Sequence, residues 1–172
     1  NPVSAEEVMP LARRIAAMGW HIQCNMPPEQ LVQMESLLLS LPVPVIIDHL
    51  GRAVDTRGPQ FVTVRKLLDS GHGWVKVSGA YLYGGGTAPH YEGASAAARA
   101  YIKAAPERCV WGSDWPHPDA TKKLNPVAMP DDVTLLNLMP KWAPDAKLRH
   151  RILVENPESF YGFDPKKRPK AV

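Results

Sequence analysis

Residues 110–118, Val-Trp-Gly-Ser-Asp-Trp-Pro-His-Pro, set a carboxylate, two indoles and an imidazole directly behind a short apolar run. An apolar strand that breaks at a Gly and continues in polar and aromatic side chains presents those groups at its tip. Asp114, crowded by Trp115 and followed by His117, has the surroundings that a general base or a metal ligand needs. His49 closes a second apolar run, Val45-Ile46-Ile47-Asp48-His49. A neutral imidazole there can polarise a carbonyl or ligate an ion. Asp48 is expected to orient its neighbour rather than to act as a base. Asn25 ends an earlier apolar run, and Ser78, Tyr81 and Tyr83 follow another. The candidate catalytic groups are therefore Asp114 and His49. The candidate contacts to a small-molecule substrate are Asn25, Tyr81, Tyr83, Trp115 and His117, with Trp115 expected to wall the pocket and keep Asp114 dry.

Positioning these groups requires repeating units. Ser4 and Glu7 form a capping-box pattern, Val8, Leu11, Ala12, Ile15 and Ala16 follow the helical period, and Gly19 stops the helix. Residues 20–24 read as a strand. Pro27 and Pro28 open a helix with Leu31, Met34 and Leu38 on its inner face, and Val45, Ile46 and Ile47 make a buried strand. Residues 51–58 read as loop. A helix then buries Phe61, Val64, Leu67 and Leu68 and ends by Gly71. Residues 74–77 form the next strand, 95–104 an Ala-rich helix, and 109–111 the last strand. Helices near 132–138 and from Asp145 to Val154 follow, and Asn156-Pro157 begins a final turn. Strict alternation of short apolar strands with helices predicts an α/β fold with a parallel sheet, open or closed into a barrel. In either, the candidate groups fall at equivalent strand ends.

Composition narrows the function classes. The 172 residues are 45% hydrophobic and 22% charged, with a formal net charge of +3. Much of that excess sits in a basic tail, Lys166, Lys167, Arg168 and Lys170, read as a solvated terminus rather than a nucleic-acid patch. No apolar run reaches the roughly 18 residues of a membrane span. No signal peptide is expected, and Cys24 and Cys109 read as buried free thiols in a cytoplasmic protein. There is no G-x-G-x-x-G, no G-x-S-x-G elbow and no Cys-x-x-Cys, and Gly84-Gly85-Gly86 lacks the Lys-Ser/Thr of a phosphate loop. The three glycines are expected to form a lid over the site.

The run Trp-Gly-Ser-Asp-Trp-Pro-His-Pro resembles the signature of the amidohydrolase-related (amidohydrolase 2) family, which includes pyrone-dicarboxylate and sugar-acid lactonases. Asp48-His49-Leu50-Gly51 resembles its D-H-x-G strand end, and residues 156–163 its Asn-Pro…Tyr-Gly-Phe ending. The resemblance implies a TIM-type (β/α)8 barrel, of which this chain holds only the C-terminal half, strands five to eight: residues 1–163 as the half barrel and 164–172 as the tail. It implies a hydrolase, a lactonase in which Asp114 activates water and His49 polarises the carbonyl. It also admits a metal-dependent decarboxylase or hydratase with His49 and Asp114 among the ligands, or a non-catalytic fragment awaiting a partner. The cofactor expectation is accordingly none, or one divalent metal, zinc or manganese. A complete barrel takes roughly 250 residues, and the His-x-His that relatives carry on the first strand does not occur here. The chain is therefore expected to be a piece of a larger whole, its N-terminal half supplied by the same or another chain, and homo-oligomers are compatible with that. The expected partners otherwise are a small-molecule substrate, with no nucleic acid and no membrane. Relatives read S-G-x-x-R after the third strand seen here, the Arg gripping a substrate carboxylate. This chain has Leu82 at that point, which favours a less charged ring, with Arg52 and Arg57 left as other cations nearby.

Overall fold

A computed structural model describes residues 4–82, 86–118 and 129–167. Among them, β1 (Ile22–Cys24), β2 (Val45–Ile47), β3 (Gly73–Val77) and β4 (Cys109–Trp111) form one parallel sheet in the order β1-β2-β3-β4. The helices α1 (Ala5–Ala16), α2 (Pro28–Gln33), α3 (Glu35–Ser40), α4 (Pro59–Asp69) and α5 (Glu92–Ala104) precede or connect the strands. After β4 come α6 (Asp132–Leu136), α7 (Met139–Trp142), α8 (Ala146–His150) and α9 (Asn156–Tyr161), the last two joined by a wide helical turn at Arg151–Glu155. The α/β alternation expected from the sequence is present.

Side chains alternate across a strand, so the sheet has two unlike faces. Cys24, Val45, Ile47, Val75, Val77 and Cys109 are buried with the helices in one apolar core. Leu31, Leu38, Val64, Leu67, Ala97 and Tyr101 meet them from the helical side. Phe61 stacks on Tyr101 at 4.5 Å, and the Tyr101 hydroxyl donates to the carbonyl of Leu50 at 3.3 Å, fixing the chain just beyond β2. The opposite face carries Gln23, Ile46, Trp74, Lys76 and Val110 in adjacent register. At the amino ends of the strands this face is covered by α9, whose Phe160 lies 4.5 Å from the Trp74 ring and 4.4 Å from that of His21. The Asn156 amide holds α9 in place by donating to the carbonyls of Pro106 and Cys109, both at 2.7 Å.

Three local features differ from the sequence expectation. The helix expected from Pro27 onward is split at Met34, which adopts φ −89°, ψ 1° between α2 and α3, although Leu31, Met34 and Leu38 do share a buried face. Helix α5 begins at Glu92 rather than Ser95, because Tyr91 turns the chain with φ 45° immediately before it. The stretch after β2 is an ordered turn in which His49, Leu50, Gly51 and Arg52 all have positive φ, from 52° to 61°. Only contacts elsewhere can hold three non-glycine residues in that region. The buried Leu50 side chain and its carbonyl's bond to Tyr101 supply them here.

Both cysteines are buried free thiols. Burial, with the Asp48 charge nearby, pushes the Cys24 thiol up to about 12, so it stays protonated and inert. Among the described residues no helix is long and apolar enough to cross a membrane.

Candidate active site

The carboxyl ends of β2, β3 and β4 bring His49, Ser78 and Asp114 together. His49 Nε2 lies 3.5 Å from Asp114 Oδ1, and the two side chains are 9% and 14% exposed. His49 Nδ1 lies 3.0 Å from Ser78 Oγ. The Tyr81 hydroxyl donates to Asp114 Oδ2 at 2.6 Å. Asp114 itself has φ 65° and His117 φ 59°, so the Asp-Trp-Pro-His loop turns sharply twice. Backbone in such sparsely populated regions persists where surrounding contacts hold it, and it gathers at functional sites. Gly79 (φ 61°) is needed for the same packing: a Cβ there would stand 2.8 Å from His49 Nδ1.

Burial pushes the His49 imidazole below its ordinary value, and the Asp114 and Asp48 charges that pull the other way do not outweigh it. The ring is therefore neutral. A carboxylate beside Nε2 favours the proton on that nitrogen, leaving Nδ1 to accept from the Ser78 hydroxyl. At 3.5 Å the Nε2–H is not tied up in a hydrogen bond to Asp114 and is available to another acceptor. A consequence follows for stability. Below about pH 6.5 the unfolded chain protonates His49 while the folded chain does not, so stability falls as pH drops below that value. Replacing His49 with Gln is expected to flatten this part of the curve, measured as the urea midpoint between pH 7 and pH 5.

A groove of about 510 Å³ opens beside these groups, lined by Asn25, Asp48, His49, Lys76, Asp114 and Trp115 among others. Its floor is polar. Asp48 accepts from Gln23 Nε2 at 2.8 Å and makes a 2.8 Å ion pair with Lys76 Nζ. Asn25 Oδ1 accepts from Arg52 Nη2 at 2.8 Å.

The structure corrects three expectations. Asp48 does not orient His49: its carboxylate points to Gln23 and Lys76, and Ser78 does the orienting. Trp115 stands at the groove's rim but is 74% exposed, so it does not dry Asp114. His117 is buried behind Tyr81, 3.3 Å from its hydroxyl and 3.1 Å from Asp132, rather than lining the groove. Tyr83, Gly84 and Gly85 lie outside the described residues. Sequence reasoning missed Gln23, Lys76 and Asp132. Lys76 had a visible signal, a lone cation inside the apolar strand Trp-Val-Lys-Val, whereas Asp132 beside the capping Asp131 had none.

Among the described residues no group of three His, Cys, Asp or Glu side chains is placed to hold a metal ion. Zinc takes four ligands, three of them from protein even at catalytic sites. His49 and Asp114 supply two donors, and Asp114 Oδ2 is already bonded to Tyr81. The described residues thus supply fewer donors than a zinc site takes, and no step below passes through an ion.

A parallel α/β sheet with an acid, an imidazole and hydroxyls gathered at its carboxyl edge is the framework on which α/β enzymes build their sites. The comparisons with known proteins agree. Residues 1–163 match the amidohydrolase family, and the chain belongs to it. It is 38% identical over 148 residues to a 4-sulfomuconolactone hydrolase of Rhizobium radiobacter, covering 84% of this chain and 48% of that protein. It is 33% identical over 168 residues to a D-galactarolactone isomerase of Agrobacterium fabrum, covering 96% and 56%. A crystal structure from Agrobacterium tumefaciens superposes with a TM-score of 0.81 at 32% identity, over 95% of this chain and 58% of that one. The chain thus spans about half the length of the curated relatives it matches.

Proposed function

We propose that this chain carries the catalytic acid–base half of a lactonase, an enzyme that opens a cyclic ester of a small carboxylic or sugar acid. The observation that carries the reading is Asp114, a carboxylate held by the Tyr81 hydroxyl on one oxygen and faced by a neutral imidazole on the other. Relatives named as lactone hydrolases and isomerases support it. Asp114 Oδ1 takes a proton from water as the water's oxygen adds to the acyl carbon. The His49 Nε2–H donates to the carbonyl oxygen as negative charge develops there. Collapse of the tetrahedral intermediate breaks the ring C–O bond, and the leaving oxygen takes the proton from Asp114. Asn25, Trp115 and the polar groove floor contact the substrate, and with Leu82 in place of an Arg no guanidinium grips it from position 82.

The same reading makes residues 1–163 the C-terminal half of a (β/α)8 barrel, with 164–172 appended as a tail. In the described sheet β1 and β4 each pair on one side only, and the family's other half, from the same or another chain, would pair with them. Opening a lactone at neutral pH releases one proton per turnover. A pH-stat screen of sugar-acid and unsaturated lactones with the protein as it occurs naturally is expected to find at least one substrate opened at a rate above about 1 s⁻¹. Proton release no faster than buffer blanks across both classes would remove the lactonase reading.

A further inference from the structure

Among the described side chains that line the groove, Lys76 is the only one with a permanent positive charge, and no step of the ring opening uses it. It sits in β3 opposite Val110 of β4, yet its side chain leans toward the carboxyl edge of the sheet. Its Cδ lies 3.3 Å from the point where a Cβ on Gly112, two residues beyond Val110, would stand. Ser78 Cβ lies 3.9 Å from the same point, so the lysine stem runs beside the residue that holds His49. After burial and the two aspartates, the Lys76 charge is the next influence on the His49 ring, and it opposes protonation.

The ammonium is not fully used. It carries three N–H donors. Its partner among the described residues is Asp48, 2.8 Å away, and the contact is an ion pair without hydrogen-bond geometry, since Asp48 Oδ1 accepts no aligned donor. Asp48 Oδ2 is held separately by Gln23. The pair is also lopsided. The Lys76 side chain is 18% exposed and that of Asp48 5%, so the pair turns its positive end to the groove and keeps its negative end in the floor. There the ammonium has already lost most of its water, and an arriving anion gains its attraction without the full desolvation cost.

We propose that Lys76 seats a carboxylate that the lactone carries outside its ring, and so selects the substrate. The inference rests on the lactonase reading for the direction of the ester, and on the groove alone for the carboxylate. Leu82 supplies no guanidinium, and an ammonium is a point charge that meets one carboxylate rather than a fork that grips it bidentately. The substrate class is therefore a small lactone with a single acid group. Its ester faces Asp114 and His49, and its carboxylate is directed along β3 to Lys76. Lys76 binds and discriminates, and it transfers no proton.

The test compares γ-butyrolactone with the same ring carrying a carboxylate on the carbon beside the ring oxygen. Kinetics on the full protein as it occurs naturally give kcat and KM for each. Calorimetric titrations of its Asp114→Asn form give the affinity for each without ring opening. The carboxylated lactone is expected to bind about tenfold or more tightly than γ-butyrolactone. Lys76→Gln is expected to weaken it about ten- to hundredfold, through KM rather than kcat, with the neutral lactone losing far less. Lys76→Gln leaves the Asp48 charge buried alone, so the double variant Lys76→Gln/Asp48→Asn, which removes both charges, is measured beside it. Asp48→Asn by itself frees the ammonium of its competing carboxylate. It is expected to tighten the carboxylated lactone several-fold, a gain that a merely structural ion pair does not give. Equal affinity of the unaltered groove for the two lactones, equal losses on both in the Lys76 variants, or weaker carboxylate binding in Asp48→Asn overturns the anchor and leaves the role of Asp114 intact. Carboxylate binding that depends on Lys76, with neither lactone opened by the unaltered protein, overturns the lactonase reading and leaves the anchor standing.

Discussion

Asp114→Asn is expected to lower kcat about 10³-fold, close to 4 kcal/mol of transition-state stabilisation, and to leave the urea midpoint nearly unchanged. The two parts of this expectation have separate causes. Asparagine has the shape of aspartate, and its amide oxygen still accepts from the Tyr81 hydroxyl, so the bond that now measures 2.6 Å keeps an acceptor. The left-handed conformation at φ 65° is also one that asparagine adopts readily. The amide cannot take a proton from water, so the chemical step fails while the fold does not. Steady-state kinetics on whichever lactone the screen finds, with a urea titration of the same preparation, measure both. Retention of full activity would remove Asp114 from the mechanism.

The largest stability effect is expected one turn from the site, at Gly51. This residue has φ 61°, and a Cβ there would stand 2.6 Å from Val64 Cγ2 and 3.1 Å from Leu31 Cδ2, both from buried side chains. Gly51→Ala combines the left-handed backbone cost, roughly 1–2 kcal/mol, with overpacking of about 1–3 kcal/mol. The sum, about 2–5 kcal/mol, is a large part of a typical domain's 5–15 kcal/mol. Gly19 supplies the control. It has nearly the same φ, 67°, but nothing lies within 4 Å of its added Cβ. Gly19→Ala is expected to lose only the backbone part, about 1 kcal/mol. Urea midpoints for the two variants separate the terms. Equal losses would show that packing around Gly51 yields more easily than the distances imply.

The alternation of strands and helices was legible because burial repeats. Val45, Ile46 and Ile47 are apolar in succession, and Phe61, Val64, Leu67 and Leu68 return at helical spacing, so short-range pattern alone placed β2 and α4. The strand-end acid and imidazole were legible for the same reason, since each directly follows an apolar run. Whom those side chains face was not legible. Asp48 and His49 are sequence neighbours, yet they point to different partners, Lys76 and Ser78, because adjacent residues at a strand end diverge. The Asp114–Tyr81–His117–Asp132 line joins positions up to 51 residues apart, which no periodicity encodes. The left-handed run from His49 to Arg52 was invisible as well, since only Gly51 in it announces positive φ.

The sheet order matches the chain order, so each strand finds its partner already made as the polypeptide leaves the ribosome. β2 lays itself on β1, β3 on β2 and β4 on β3, each with the intervening helix as cover. Such growth by addition keeps contacts local and suits folding during synthesis. Helix α9 is the exception. Phe160 must travel back to Trp74 and His21, made half a chain earlier or more, to cover the amino end of the sheet. That closure waits for α9, so the packing of Phe160 on Trp74 forms only after all four strands have been made.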